Sequence, residues 1–283
     1  SLADALREQN VLGISEVDTR ALTRHLRERG AMRVGISTSD LDPTSLRARV
    51  LEQPAMTGAN LVGEVTVPQA VVVRPTGAAT HRVAALDLGI KDNTPRMMAA
   101  RGIEVHVLPA SSSLADIQAL DVDGVFFSNG PGDPAAADEA VTLLQQVLDD
   151  DLPYFGICFG NQIFGRALGF GTYKLTYGHR GLNQPVLDRR TGTVEITAQN
   201  HGFAVDAPLD RAVDTRWGQA RVSHVCLNDD VVEGLELTDA AGRVRGFSVQ
   251  YHPEAAAGPH DSAYLFDRFV EVMDAAKAAG KDN

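Results

Sequence analysis

The sequence is poor in cysteine, in aromatic residues and in long apolar runs. It has 2 cysteines in 283 residues, and aromatic residues make up 6% of the chain. Two cysteines do not form a disulfide scaffold in a chain of this length, so they favour a reducing compartment and a cytoplasmic location. The longest apolar runs have the length of strands and no signal-peptide pattern opens the chain, so we expect no membrane partner.

Basic residues are outnumbered, and the common spacings for metal and nucleotide binding are absent. The chain has 26 basic and 37 acidic residues, and its formal net charge of −11 argues against nonspecific binding of nucleic acid. No Cys-x-x-Cys or His-x-x-x-His spacing occurs, so no metal site is predicted. No Gly-x-x-x-x-Gly-Lys-Ser/Thr loop occurs either, so we do not expect this chain to bind ATP.

Apolar patterning divides the chain into two parts. Helical spacing predicts one or two helices within residues 1–30 and a further helix that begins at residues 41–43. Residues 68–80 contain Pro, Gly and small side chains, which favour a linker. We therefore predict an N-terminal domain with its linker over residues 1–78 and a second domain over residues 79–283.

In the second part, short buried strands alternate with helices. Apolar segments such as 83–86 and 124–127 are followed by helical patterns, and the sequence becomes strand-rich after residue 171. This alternation predicts an α/β fold with a mostly parallel sheet flanked by helices. Functional groups collect at the carboxyl ends of such strands, where the glycine-bearing loops 128–134 and 156–160 lie.

Cys158 ends an apolar segment, with Gly156 before it, Gly160 after it and a helical pattern beyond. This is the pattern of a nucleophile elbow in which sulfur replaces the serine oxygen. At the start of a helix, backbone N–H groups and the helix dipole favour the thiolate, which is the attacking species in acyl transfer.

The other cysteine and most of the histidines show no such context. Cys226 lies in an apolar strand pattern without flanking glycine, so it is interpreted as a core residue. His179 lacks ligand spacing, and His201 is interpreted as a loop-shaping residue. The segment Lys91-Asp92-Asn93 is interpreted as a helix cap.

A base and its orienting group follow the apolar run that ends at Val249. His252 and Glu254 are separated by two positions, so in an extended segment both side chains point to the same face. We predict a triad in which Glu254 orients His252 and His252 activates Cys158.

Acyl transfer also needs donors for the developing oxyanion. The backbone N–H of Phe159 and one from the loop Gly130-Pro131-Gly132 are the candidates, because glycine lets the backbone approach closely.

Three segments resemble motifs of the class I (triad-type) glutamine amidotransferases. Residues 156–162 (Gly-Ile-Cys-Phe-Gly-Asn-Gln) resemble the nucleophile motif, and residues 128–134 (Ser-Asn-Gly-Pro-Gly-Asp-Pro) resemble the oxyanion loop. Residues 252–254 (His-Pro-Glu) resemble the base motif. The resemblance implies the flavodoxin-like fold of that family.

Further segments resemble one branch of that family, the small (glutaminase) subunits of glutamine-dependent carbamoyl-phosphate synthetase. They are residues 18–23, 177–186, 196–206, 253–255, 258–262 and 266–267. Those subunits carry additional sequence, including a small β-rich domain, before the point that matches Ser1. Residues 1–78 therefore resemble a remnant, and the resemblance implies a partial N-terminal domain.

The resemblance also implies roles for individual residues. Cys158 is the nucleophile, His252 is the general base and later the acid, and Glu254 orients His252. The resemblance also places the segment Lys91-Asp92-Asn93 near the active edge of the domain. The residues that would hold the substrate L-glutamine, two of them through oxyanion N–H groups, are Gly130, Gly132, Phe159, Gln162, Asn200, Gly202 and Phe203.

The implied reaction is hydrolysis of L-glutamine to glutamate and ammonia through a cysteinyl thioester. The ammonia passes to a large synthetase subunit in a heterodimer or higher hetero-oligomer. That partner uses bicarbonate, ATP and Mg²⁺ to make carbamoyl phosphate for arginine and pyrimidine biosynthesis, so this chain itself is expected to need no cofactor. Three alternatives stay open: the glutaminase subunit of another amidotransferase, a γ-glutamyl peptidase, and a non-catalytic docking or regulatory subunit.

Overall fold

The structure is a computed structural model that describes residues 1–255 and 260–281. It contains two compact units, Ser1–Met56 and Thr57–Asn283. Among the described residues, no helix combines the length and the apolar character that a membrane crossing requires.

The first unit is built from three short helices, each begun by a capping side chain. The helices are α1 (Leu2–Glu8), α2 (Thr19–Arg29) and α3 (Pro43–Glu52). The Asp18 carboxylate accepts the Ala21 N–H at the start of α2, and Asp42 caps α3, which has Pro in its first turn. Gly30 ends α2 with a φ of 82°. The helices predicted in this region are confirmed.

The second unit is an α/β structure built on one sheet. Its strands are β1 (Val71–Val73), β2 (His81–Asp87), β3 (Ile103–Pro109), β4 (Gly124–Phe127), β5 (Tyr154–Ile157), β6 (Gly171–Asp188), β7 (Thr193–Asp206), β8 (Val213–Thr215), β9 (Gly218–Cys226), β10 (Val232–Thr238) and β11 (Val244–Val249). Its helices are α4 (Asn93–Ala99), α5 (Leu114–Gln118), α6 (Asp138–Asp149), α7 (Phe159–Ala167) and α8 (Leu265–Lys281). Single 3₁₀ turns occur at Val62–Glu64 and Pro134–Ala136.

The sheet has a parallel part and an antiparallel part. Its order is β1-β3-β2-β4-β5-β11-β10-β7-β6-β9-β8. Strands β3, β2, β4, β5 and β11 are parallel, whereas β1 and all strands from β10 outward pair antiparallel to their neighbours. β10 also pairs with β9, so the pairings of β10, β7, β6 and β9 close into a ring. The predicted parallel α/β sheet is present, and the antiparallel extension makes the whole sheet mixed.

The parallel strands are buried because helices cover both faces. Aromatic rings fill one side: the Phe155 ring stacks on Phe247 with centroids 4.5 Å apart and meets Phe269 of α8 at 5.6 Å. On the other side α6 contributes Leu144 and Val147, both fully buried. This burial fixes the strand ends that carry the site.

The segment predicted as a linker contains an edge strand. Val71–Val73 pair antiparallel with Val105–Val107, and the Val67 N–H donates to the Asp87 carboxylate at 2.7 Å. Three consecutive β-branched residues favour this pairing despite the nearby Pro and Gly. The compact units consequently divide between residues 56 and 57, upstream of the predicted boundary at residues 78 and 79.

Candidate active site

Cys158 lies at the turn between β5 and α7, at the helix N-terminus. Its φ of 55° and ψ of −98° are unusual for a residue with a side chain. Its N–H donates to the Val249 carbonyl at 2.8 Å, which ties the turn to the end of β11. The sharp turn therefore holds the sulfur at the carboxyl edge of the sheet, beside the N-terminal N–H groups of α7.

The helix packs so closely on a neighbouring strand that only glycine fits at Gly160. A Cβ placed there would lie 2.2 Å from the Phe127 carbonyl oxygen. The Gly160 carbonyl in turn accepts a hydrogen bond from the Tyr154 hydroxyl at 2.8 Å. The turn is thus fixed from both sides.

The loop after β4 approaches the chain after β2 equally closely. A Cβ at Gly130 would lie 2.2 Å from the Leu88 carbonyl oxygen, and Gly132 has a φ of 104°. The Asp133 carboxylate accepts the Gly58 and Ala135 N–H groups at 2.8 and 2.9 Å, which fixes the far end of the loop.

A direct hydrogen bond joins this loop to the nucleophile turn. The Gly160 N–H donates to the Ser128 carbonyl at 3.1 Å, and the Ser128 hydroxyl accepts the Leu88 N–H at 2.9 Å. Phe159 is the first residue of α7, so its N–H has no acceptor within the helix. The predicted oxyanion donors, Phe159 and Gly130, therefore belong to two segments held together beside Cys158.

His252 lies just beyond β11 and is bound to a buried carboxylate. Its N–H donates to the Ala198 carbonyl of β7 at 2.9 Å, and its Nδ1 lies 2.8 Å from Glu254 Oε1. Lys91 Nζ lies 3.0 Å from the same carboxylate oxygen, and the Asn93 side-chain amide donates to the Glu254 carbonyl at 2.6 Å. Lys91 and Asn93, which follow β2, thus hold Glu254 in place, and Glu254 in turn orients His252.

The surroundings of His252 favour its protonated form. Burial acts to lower the pKa of His252, but the Cys158 sulfur and the Glu254 carboxylate outweigh burial and raise it to about 9. Burial acts to raise the pKa of Glu254, yet His252 and Lys91 hold it below its ordinary value. Nδ1 faces Glu254 Oε1, and Lys91 Nζ also lies 3.0 Å from Nδ1, so the hydrogen bond to Cys158 is assigned to Nε2. The structure thus brings together the three residues of the predicted triad.

The residues predicted to hold glutamine lie in the loop after β4, at the start of α7 and in the middle of β7. Gln162 is buried, and its side-chain amide donates to the Phe203 carbonyl at 2.9 Å and to Gln250 Oε1 at 3.1 Å. Phe203 is buried, Gly202 is half-buried and Asn200 is exposed. Gln162 therefore supports the backbone of β7, and the substrate contacts of this set stay predictions.

The resemblance places Lys91 and Asn93 near the active edge, but neither residue receives a role in the site from the sequence. Asp92 is the N-cap residue of α4, in agreement with the cap interpretation, although its side chain makes no capping hydrogen bond. The position of the segment could have indicated its role, because it follows β2 and the carboxyl end of β2 lies at the same edge of the sheet as Cys158.

Comparison with known proteins places the chain in a family. Residues 84–272 match the family model of class-I glutamine amidotransferases, and residues 1–36 match that of the carbamoyl-phosphate synthase small chain, CPSase domain. The carbamoyl phosphate synthase small chain of Streptomyces avermitilis is 63% identical over 98% of this chain and 73% of its own length. The chain belongs to this family of class-I amidotransferases. The small chain of Mycobacterium tuberculosis is 55% identical over 96% of this chain and 73% of its own length.

A solved structure supports the fold of the amidotransferase family independently. A protein from Thermoplasma acidophilum, described as one subunit of a GMP synthase, matches with a TM-score of 0.59 at 16% identity, over 72% of this chain and 100% of its own. The predicted class I amidotransferase fold is confirmed. Of the segments that carried the resemblance, residues 258–259 lie outside the described residues, whereas Asp261 accepts the Ile196 N–H at 3.1 Å.

Proposed function

We propose that this chain is the glutaminase subunit of a carbamoyl-phosphate synthetase and that Cys158 attacks the side-chain amide of L-glutamine. The observation that carries the proposal is the arrangement of Cys158, His252 and Glu254. A strained cysteine at a helix N-terminus lies beside an imidazole whose other nitrogen is 2.8 Å from a buried carboxylate.

The first half of the reaction releases ammonia. The Cys158 thiolate attacks the amide carbon, and the oxyanion that forms accepts hydrogen bonds from the Phe159 and Gly130 N–H groups. His252 donates its Nε2 proton to the amide nitrogen, the C–N bond breaks, and a γ-glutamyl thioester remains on the sulfur. Loss of one such oxyanion donor typically raises the barrier by ~3 kcal/mol.

The second half restores the enzyme. A water molecule gives a proton to His252 Nε2 while its oxygen attacks the thioester carbon. The S–C bond then breaks, glutamate forms, and the sulfur leaves as a thiolate. Glu254 keeps the ring oriented through both halves and stabilises the imidazolium, and Lys91 keeps Glu254 ionised and in place.

The ammonia is delivered to a large synthetase subunit. The relatives are small chains of carbamoyl phosphate synthase, which supports a heterodimer or higher hetero-oligomer. In that complex the large subunit uses ATP, Mg²⁺ and bicarbonate, and this chain supplies ammonia without a cofactor of its own. Two unpaired cysteines, Cys158 and Cys226, support a cytoplasmic location.

The residues assigned to L-glutamine binding come from the loop after β4, from α7 and from β7. Gly132, Gln162 and Asn200 are placed in the substrate-holding set with Gly202 and Phe203. The support is positional: Gln162 belongs to α7, and its amide holds the β7 carbonyl of Phe203 at 2.9 Å.

The test compares the two cysteines in the whole complex. Cys158→Ser is expected to abolish glutamine-dependent release of glutamate and to leave ammonia-dependent synthesis of carbamoyl phosphate intact. Cys226→Ala is the matched control and should retain glutamine hydrolysis. Normal glutamate release by Cys158→Ser would overturn the mechanism. A Cys158→Ser complex with unchanged glutamine-dependent synthesis would instead identify the chain as a docking subunit.

A further inference from the structure

A second cluster of polar side chains lies on the antiparallel part of the sheet. His179 is on β6, Gln199 and His201 are on β7, and Glu233 is on β10. All four are at most 9% exposed. These strands belong to the ring formed by β10, β7, β6 and β9, and none of the three proposed catalytic residues is on them. The reaction proposed for Cys158 gives this cluster no role.

Four ligand-type atoms of the cluster face one another. His179 Nδ1 lies 2.9 Å from Glu233 Oε1 and 3.0 Å from Gln199 Oε1. His201 Nε2 lies 2.9 Å from Gln199 Oε1 and 3.6 Å from Glu233 Oε1. A tetrahedral ion with bonds of about 2.0–2.1 Å holds its ligand atoms about 3.3 Å apart, so the observed separations bracket the required one.

Hydrogen bonding fixes the orientation of the Gln199 amide. Its nitrogen donates to Thr197 Oγ1 at 3.1 Å, and the Thr197 hydroxyl donates to the Gln184 carbonyl at 2.9 Å. The threonine oxygen must therefore accept, which leaves the Gln199 carbonyl oxygen facing the two imidazoles.

If His201 is neutral, its Nε2 is an acceptor that faces another acceptor, Gln199 Oε1. His201 Nδ1 lies 2.8 Å from the Phe203 carbonyl, which can only accept, so this nitrogen carries the hydrogen. In the neutral ring Nε2 is then a lone-pair nitrogen, and it faces the oxygens of Gln199 and Glu233. Such a contact is stable only with a proton or a metal ion between the atoms.

The outer nitrogens of both histidines have the partners that metal-binding histidines use. His179 Nε2 lies 2.8 Å from the Asp229 carboxylate, and His201 Nδ1 donates to a backbone carbonyl. Ligating histidines typically donate their second N–H to a carboxylate or a carbonyl, which fixes the ring. Glu233 Oε2 is also buried and has no hydrogen-bond partner among the described residues.

We propose that His179 Nδ1, His201 Nε2, Glu233 and Gln199 Oε1 bind one divalent transition-metal ion of the zinc type. Two imidazoles and two oxygens suit Zn²⁺ or Co²⁺ and disfavour Ca²⁺ and Mg²⁺, which take oxygen ligands. Binding replaces the hydrogen on His179 Nδ1 and releases that proton to solvent. No spacing in the sequence signals this site, because its ligands come from three strands.

A second possible ligand group shares His179. Cys226 and Asp229 lie near its Nε2 and could also surround an ion. In that arrangement Asp229 would be a ligand, the ring would lose its carboxylate partner, and the buried lone pairs of His201 and Glu233 would stay unmatched. An ion bound at His179 Nδ1 instead leaves Asp229 as the partner of Nε2 and uses the buried lone pairs of His201 and Glu233.

In the metal-free alternative, a proton on His179 held by carboxylates takes the place of the ion. Burial acts to lower the pKa of His179, but Glu233 and Asp229 outweigh it and raise the pKa to about 9. A proton thus competes with a metal ion for Nδ1, and the experiment must distinguish the protonated site from the metal-bound site.

The test uses Co²⁺ and Zn²⁺ with the full chain carrying Cys158→Ser, so that the proposed nucleophile cannot bind metal. After treatment with a chelator, the protein is expected to bind one Co²⁺ per chain and to show the visible absorption of tetrahedral cobalt without a cobalt–thiolate charge-transfer band. One equivalent of Zn²⁺ should displace it, as measured by elemental analysis. This measurement tests for the presence of a metal site without any substitution among the proposed ligands.

A single carboxylate change then locates the ion. Glu233→Gln keeps the size of the side chain and should weaken Zn²⁺ binding at least ~10-fold, measured by competition with a chromophoric chelator. His25→Gln, which removes an exposed histidine of α2, is the matched control and should bind as before. Absence of a stoichiometric metal, a thiolate band, or full affinity in Glu233→Gln would each overturn the proposal.

Discussion

The two cysteines occupy contrasting positions in one sheet. Cys158 follows a parallel strand, has a φ of 55° and lies beside His252 at a helix N-terminus. Cys226 ends the antiparallel strand β9, and burial, with the acidic Glu233 and Asp229 nearby, raises the pKa of its thiol to about 12. Both side chains are buried, so burial alone does not distinguish them. The difference lies in what each sulfur faces: Cys158 faces a protonated imidazole and a helix N-terminus, whereas Cys226 faces carboxylates.

Alkylation should give the largest difference between the two thiols. At pH 7 a thiol with a pKa of about 12 is a thiolate in only about one molecule in 10⁵. We expect iodoacetamide to modify Cys158 at least ~100-fold faster than Cys226 in the folded chain, as measured by peptide mass spectrometry. In denaturant the two rates should converge. Equal rates in the folded chain would mean that the surroundings do not control the thiols as described.

Removing the close approach at the nucleophile turn should give the next largest effect. In Gly160→Ala the new methyl group would meet the Phe127 carbonyl oxygen 2.2 Å away, and we expect a loss of about 2–3 kcal/mol of unfolding free energy together with slower alkylation of Cys158. Alanine is the better helix former by ~1 kcal/mol, so any loss must come from the collision.

Gly77→Ala is the control for that substitution, since no atom lies within 4 Å of its Cβ position. We expect its unfolding free energy to change by less than ~0.5 kcal/mol in urea denaturation. If Gly160→Ala were as stable as this control, the packing of α7 against β4 would not be what shapes the turn.

The smallest predicted effect concerns the proton on His252. Glu254→Gln removes one of the two charges that raise the pKa of His252, while Cys158 stays in place, so we expect the pKa to fall below about 9. Titration of the imidazole by NMR measures it. Glu64→Gln, which removes the same charge from an exposed position, should leave it unchanged.

The same pKa sets a direction for stability. The pKa of His252 is raised on folding, so the stability gained from its proton is fully present below about pH 6.5 and is lost as the pH rises through about 9. Unfolding in urea across this range should show that loss in the wild type and a smaller one in Glu254→Gln. An identical pH dependence in both proteins would contradict the proposed link between the two side chains.

Much of the parallel part could be predicted from the sequence, because its pattern is local. Cys158 follows a short buried run and His252 lies shortly after another, and parallel strands bring such ends to one edge. The contact of Lys91 with Glu254 was not predictable, because it joins positions far apart in the chain and the residues next to Lys91 suggest only a cap.

The antiparallel part was less predictable for a physical reason. The pairing of β6 with β7 shifts register between Lys174 and His179 and again between Gly181 and Gln184. Each shift changes which side chains share a face, so alternation along the sequence does not predict which residues meet. His179 and His201 become neighbours only through this irregular register, with ring centroids 4.8 Å apart.

The hydrogen bond from the Gly160 N–H to the Ser128 carbonyl has a mechanical consequence. Because it joins the turn of Cys158 to the loop that carries Gly130, the proposed second oxyanion donor, a displacement of either segment is transmitted to the other. A docking protein that touches only the outer loop would therefore reposition sulfur and donor together, with their separation preserved.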